Sequence, residues 1–235
     1  MSNPTRLYAG LSTAYTNEIF HSYPFPDPFH TGSTQALGST NYLNDFNTLV
    51  GTDYAVAGTS STFALTNGVG GVAIITPGGA TTATTVTKNG QAFQFQSGNR
   101  FWYTVRFQAS GVGADSFYVG LQNGTSANDG IWFSKAASSS SINLVSVVGS
   151  TSTTLVTGLT TVTAATYVEL GFYYNGTDLL VYAGNQLQTR ITSPTIGSSA
   201  TTLTNTTLSP VFEITPAATE TMTVDFVGVA QEVTR

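Results

Sequence analysis

The chain has 235 residues, 8% charged and 40% hydrophobic, with 7 Lys+Arg against 12 Asp+Glu and no cysteine. Lack of cysteine excludes disulfides, thiolate metal sites and a Cys nucleophile, and a net charge of -5 leaves no basic stripe to neutralise phosphates, so nucleic acid is not an expected partner. No apolar run approaches the ~20 residues that span a bilayer and the opening MSNPTRLYAGLS has no signal-peptide core, so a membrane is not expected and the chain is placed in a cytosol when made. A folded surface of about 10,000 Å² would carry roughly one charge per 500 Å². Ser, Thr, Gly and Asn therefore take over the polar surface, and the length fits one large β domain carrying an arm.

Residues 1–40 read as that arm. Four of the eight prolines lie between Pro4 and Pro28, and Tyr23-Pro24-Phe25-Pro26-Asp27-Pro28-Phe29 alternates proline with aromatics or Asp. Proline removes a backbone donor and holds its predecessor extended, which excludes a helix or a central strand. Tyr15, Phe20, Tyr23, Phe25 and Phe29 are too many rings for a disordered tail. The arm is expected either to dock on another protein or to pack across its own body.

Residues 41–235 read as a sandwich. In Arg100-Phe101-Trp102-Tyr103-Thr104-Val105-Arg106-Phe107-Gln108-Ala109 the odd positions form an apolar face, the period of a strand. Similar runs, rich in β-branched and aromatic residues, cover Ser116–Gln122, Gly130–Lys135, Ile142–Val148, Tyr167–Tyr174, Leu179–Ala183, Gln186–Ile191 and Met222–Val229. Asn67-Gly68, Asn89-Gly90, Asn123-Gly124 and Asn175-Gly176 suit the positive φ of tight hairpins, most clearly in Tyr173-Tyr174-Asn175-Gly176-Thr177-Asp178-Leu179-Leu180. The Ser/Thr runs at Thr81–Thr85, Ser138–Ser141, Ser150–Thr154 and Ser198–Thr207 read as loops or edge strands. No helical stripe is present. The expected fold is all-β, an antiparallel two-sheet jelly roll with an extended N-terminal arm.

Chemistry is sparse. His21 and His30 flank the proline run with only Asp27 nearby, so no metal or base role is expected. Retaining glycoside hydrolysis needs two carboxyl groups about 5 Å apart, and no predicted strand carries a pair. Glu169 and Asp225 stand among apolar neighbours, and Asp115, Asp129 and Asp178 fall at turns. There is no Gly-x-Ser-x-Gly elbow. The chain is expected not to be an enzyme and to need no cofactor. Asn128-Asp129-Gly130 with Asp115 supplies too few oxygens for calcium, and Asn123-Gly124-Thr125 and Asn175-Gly176-Thr177 read as turns rather than glycosylation acceptors. Trp102, Tyr118, Trp132 and Tyr174 are candidates for a glycan platform, against the alternative that such rings fill the core.

Taken together, the Pro-Asp-Pro arm, Asn44-Asp45-Phe46, Gly98-Asn99-Arg100-Phe101-Trp102, Phe117-Tyr118-Val119-Gly120-Leu121, Asp129-Gly130-Ile131-Trp132-Phe133 and Leu170-Gly171-Phe172-Tyr173-Tyr174 resemble tailed-bacteriophage virion proteins with a concanavalin-like or laminin-G-like jelly roll. The resemblance implies a structural protein that decorates or cements the capsid, a homotrimer bound to the major capsid protein through Tyr23, Pro24, Phe25, Pro26, Asp27, Pro28 and Phe29, and located at the capsid surface of the virion. The alternative it leaves is a glycan-binding receptor-recognition module of a tail fibre or spike.

Overall fold

The computed structural model describes residues 38–66, 71–125, 127–184 and 186–233. The proline-aromatic arm, with the residues expected to grip a capsid, and Asn67-Gly68 lie outside them. Along the described residues run β1 (Gly38–Asn44), β2 (Tyr54–Ala57), β3 (Thr62–Thr66), β4 (Val72–Thr76), β5 (Thr84–Lys88), β6 (Phe101–Ala109), β7 (Ser116–Gln122), β8 (Gly130–Lys135) and β9 (Ser141–Val148). They continue as β10 (Thr151–Thr161), β11 (Val168–Tyr174), β12 (Leu179–Ala183), β13 (Gln186–Ile191), β14 (Ile196–Gly197), β15 (Leu203–Thr204), β16 (Ser209–Thr215) and β17 (Met222–Val233). As the periodicity predicts, the described residues contain no α-helix.

Two antiparallel sheets face each other. One has the order β13-β12-β11-β6-β17-β4-β3, with β1 paired to the distal half of β17. The other has seven strands in the order β10-β9-β8-β7-β16-β5-β2. The short parallel pair β14-β15 lies in the connection from β13 to β16. Alternation sends Phe101, Tyr103, Val105 and Phe107 of β6 inward to meet Phe117, Val119 and Leu121 of β7 and Ile131 and Phe133 of β8. Phe95 stacks on Phe101 at 4.4 Å, and Phe172 on Tyr103 at 5.1 Å. Each such ring, once buried, contributes on the order of 1.5–3 kcal/mol.

Strand limits match the sequence reading at β7, β8, β12 and β13, and β6 begins one residue after Arg100. Three readings change. The four Asn-Gly pairs do not all make hairpins. Asn175-Gly176 does, through a loop of residues 175–178 in which Asn175 Oδ1 accepts the Thr177 and Asp178 N–H groups. Asn123-Gly124 opens a longer connection from β7 to β8, and Asn89-Gly90 follows β5, whose partners are β2 and β16 rather than the next strand. Tight two-residue geometry occurs instead at Gly149-Ser150 between β9 and β10, with φ of 55 and 68. Of the Ser/Thr runs, Ser150–Thr154 leads into the edge strand β10, but Thr81–Thr85 runs into β5, an inner strand. Finally, β17 does not alternate throughout. A bulge between Val224 and Phe226 lets Asp225 reach Arg106 of β6 as an ion pair.

Candidate functional site

On the seven-stranded sheet, the residues between the inward positions point away from the core. Across β5, β16, β7, β8 and β9 these outward positions include Thr85, Glu213, Tyr118, Gly120, Gln122, Trp132, Ser134 and Asn143. Register places Glu213 opposite Tyr118, Tyr118 opposite Ser134, and Gly120 opposite Trp132. Three neighbouring strands thus bring an acid, two rings and a hydroxyl into one patch.

Two glycines let the rings lie there. A Cβ on Gly120 would stand 2.3 Å from the Ile131 carbonyl oxygen and 2.5 Å from Trp132 Cα. A Cβ on Gly130 would stand 2.5 Å from the Leu121 carbonyl oxygen and 2.5 Å from Cζ3 of the Trp132 ring. The indole therefore occupies space that any larger residue at 130 would take. Tyr118 lies beside it, ring centres 5.0 Å apart and planes at 31°. Gly120 is the only position between Tyr118 and Gln122 on that face of β7, so no side chain separates the phenol from the Gln122 amide.

The phenol is held at its far end. Its oxygen is 2.9 Å from Glu213 Oε2 and 3.1 Å from Gln122 Oε1, and Gln122 Nε2 donates to the Gly124 carbonyl. Thr85 Oγ1 donates to the same Glu213 oxygen at 2.6 Å. Burial raises the Tyr118 pKa, and the neighbouring Glu213 charge raises it further. Tyr118 is therefore a donor at physiological pH. Glu213 is oriented from one side, and among the described residues no hydrogen bond reaches its Oε1.

Beside this network is a shallow pocket of about 180 Å³, lined by Ser116, Tyr118, Ser134, Asn143 and Glu213 above Phe117 and Lys135. It is smaller than a typical drug-sized cavity and suits one ring-sized group at the surface. Asn143 Oδ1 accepts the Gly158 N–H at 2.9 Å, which leaves its Nδ2 as the donor for a guest. Lys135 is not available to a guest. Its side chain is fully buried, with Nζ bonded to the Asp115 carbonyl and 3.3 Å from Asp115 Oδ1. Hydroxyl, amide and carboxylate groups beside two rings can bind a polyhydroxylated ligand that has one apolar face.

The four aromatics named from sequence do not form one platform. Tyr118 and Trp132 share this face. Trp102 points outward from the other sheet, where it stacks on Tyr173 at 5.1 Å, packs with Tyr182, Leu180 and Ala230, and is 1% exposed. Tyr174 is a core residue whose hydroxyl donates to the Gly176 carbonyl. The acids read as solitary have partners: Asp225 pairs with Arg106, and Glu169 sits opposite Arg106 on β6. Asp115 and Asp129 lie at opposite ends of the β7–β8 pair. Asp129 Oδ1 accepts from Gly149 N–H and Thr204 Oγ1, so the two do not assemble a calcium loop. Glu213, Gln122, Thr85 and Asn143 escaped the sequence reading. The available signal was a lone acid at an alternate position of the apolar run Val211-Phe212-Glu213-Ile214-Thr215.

No protein-family model matches the sequence, and no curated protein does. Solved structures do match the fold. An endo-1,3-beta-glucanase from Streptomyces sioyaensis is similar over 84% of this chain and 98% of its own, with a TM-score of 0.60 at 9% identity. A prokaryotic beta-1,3-1,4-glucanase (lichenase) derived from a mouse hindgut metagenome is similar over 81% and 98%, with a TM-score of 0.60 at 10% identity. The carbohydrate recognition domain of Emp46p, in its potassium-bound form, is similar over 79% and 94%, with a TM-score of 0.54 at 11% identity. The chain has the concanavalin-like jelly-roll fold. None of these three neighbours is a virion protein. The expectation that the chain is not an enzyme is overturned here. Its fold is shared with glucanases over 98% of their length, so lack of a carboxylate pair on one predicted strand is no ground for excluding glycan chemistry.

Proposed function

We propose that the chain is a glycan-binding jelly-roll module whose ligand lies on the outward face of the seven-stranded sheet, over Tyr118, whose ring the buried Trp132 backs, and into the pocket beside Glu213. The observation that carries this reading is the adjacency of a 5.0 Å ring pair to a ring-sized pocket lined by Ser134, Asn143 and Glu213. Ring faces cover the apolar side of a sugar, and the polar groups fix its hydroxyls. The carbohydrate-active and carbohydrate-recognising neighbours support the reading through their fold. The resemblance of the sequence to tailed-phage virion proteins supports a finer form of it, in which the module recognises a receptor glycan from a tail fibre or spike. No observation among the described residues favours the capsid-cement form.

The test is binding of the purified chain to bacterial surface polysaccharides and defined oligosaccharides, followed by the same titrations with Asn143→Ala and Trp132→Phe. Asn143→Ala is expected to melt near the wild type and Trp132→Phe a few degrees lower, because that ring is buried, and each is expected to bind at least tenfold more weakly. The same incubations are read for new reducing ends, given the glucanase fold. Wild-type affinity in both variants would remove the site.

A further inference from the structure

Resting on that reading, we infer that Glu213 makes the pocket selective for the sign of charge on the sugar: uncharged and ammonium-bearing rings enter, and carboxylate-bearing rings are turned away. Glu213 is the one carboxylate at the outward positions of β5, β16, β7, β8 and β9. Its Oε2 is held by Tyr118 and Thr85, so the side chain is anchored rather than free to swing into solvent. Its Oε1 receives no hydrogen bond from the described residues, and Glu213 lines the pocket with Ser134 and Asn143.

The one cation in the pocket wall cannot offset that charge at the ligand. Lys135 is buried and already faces Asp115 and the Gly113, Asp115 and Ala136 carbonyls. The pair is neutral as a unit, which leaves Glu213 as the net charge of the pocket. An incoming ammonium gains a charge-assisted hydrogen bond with Oε1, and a hydroxyl gains an ordinary one. An incoming carboxylate gains neither and meets a like charge at close range.

The experiment titrates wild-type protein with hexamers of β-1,4-linked glucose, glucosamine and glucuronic acid at mildly acidic pH, where the amine is protonated and the acids are ionised. The three probes share linkage and ring and differ in charge. The glucuronic acid hexamer is expected to bind at least tenfold more weakly than the glucose hexamer, and the glucosamine hexamer at least as tightly as it. Glu213→Gln, which keeps an acceptor for Tyr118 and Thr85, should bring all three within about threefold. As a readout that needs no variant, raising salt should narrow the wild-type gap, because partly exposed charges are screened. Equal wild-type affinity for all three, or a gap that persists unchanged in Glu213→Gln and in high salt, overturns the inference. Loss of binding to all three probes and to surface polysaccharide would instead overturn the glycan reading itself.

Discussion

Two missing side chains and one buried ion pair set the local chemistry. Gly120→Ala would press a methyl group against Ile131 backbone at 2.3 Å, and main chain in a sheet interior has no flexible end with which to yield. A loss of about 2 kcal/mol or more is expected, which for a chain of this length lowers Tm by roughly 4–8 °C. The control is Gly51→Ala, where no atom lies within 4 Å of the added Cβ and Tm should hold. Lys135→Met tests the ion pair by thermal melting. Removing the ammonium leaves Asp115 charged and fully buried, and broken buried pairs typically cost about 3–5 kcal/mol. The parity of Ile131, Phe133 and Lys135 in the sequence already puts the lysine on the core face. Its partner, twenty residues upstream, is not legible that way, because only the antiparallel return of β8 on β7 brings the β7 end opposite it.

At the level of elements, β6, β7 and β8 could be read because large apolar side chains recur at every second position, and β12 because the apolar run Leu179–Ala183 follows the Asn175-Gly176 turn. β5 offers no such contrast. Thr84 and Thr87 are buried and Thr85 between them is half-buried, so one residue type serves both faces. β16 was obscured by Pro210, a residue that argues against a central strand. The fold accommodates it because pairing with β5 begins only at Val211, so the missing N–H falls beyond that ladder. The β11–β12 hairpin was legible, and so was its Asp178, but what the carboxylate does was not. It accepts the Ser193 N–H and pairs with Arg190 of β13, fastening three strands at one corner. The Ser193 hydrogen bond, then the Arg190 guanidinium, hold the Asp178 pKa below its ordinary value. The stabilisation is therefore complete above the ordinary carboxylate pKa and is lost as pH falls from there through the lowered folded value. Protection factors of the β12 and β13 amides, with the intrinsic pH dependence of exchange divided out, should fall over that acid range in the wild type. In Asp178→Asn they should be lower already at neutral pH and nearly flat with acidification.

The whole molecule presents two outward sheet faces, each with one of the chain's two tryptophans. Composition and alternation led to a two-sheet sandwich, but they could not show which rings share a face. That depends on strand order, and β6 joins β17 across more than a hundred residues of chain. On one face Trp102 is 1% exposed and closed in by Tyr173, Tyr182 and Leu180. On the other, Trp132, 7% exposed, adjoins Tyr118, which lines the pocket with Glu213. The proposed ligand face is thus the outward face of the seven-stranded sheet, and the two indole N–H signals test this directly. In a nitrogen–proton spectrum recorded while a bound oligosaccharide is added, the Trp132 indole signal should move with saturation, together with the amides of Ser134 and Asn143, and the Trp102 signal should stay in place. Movement of Trp102 with Trp132 unmoved would contradict the account.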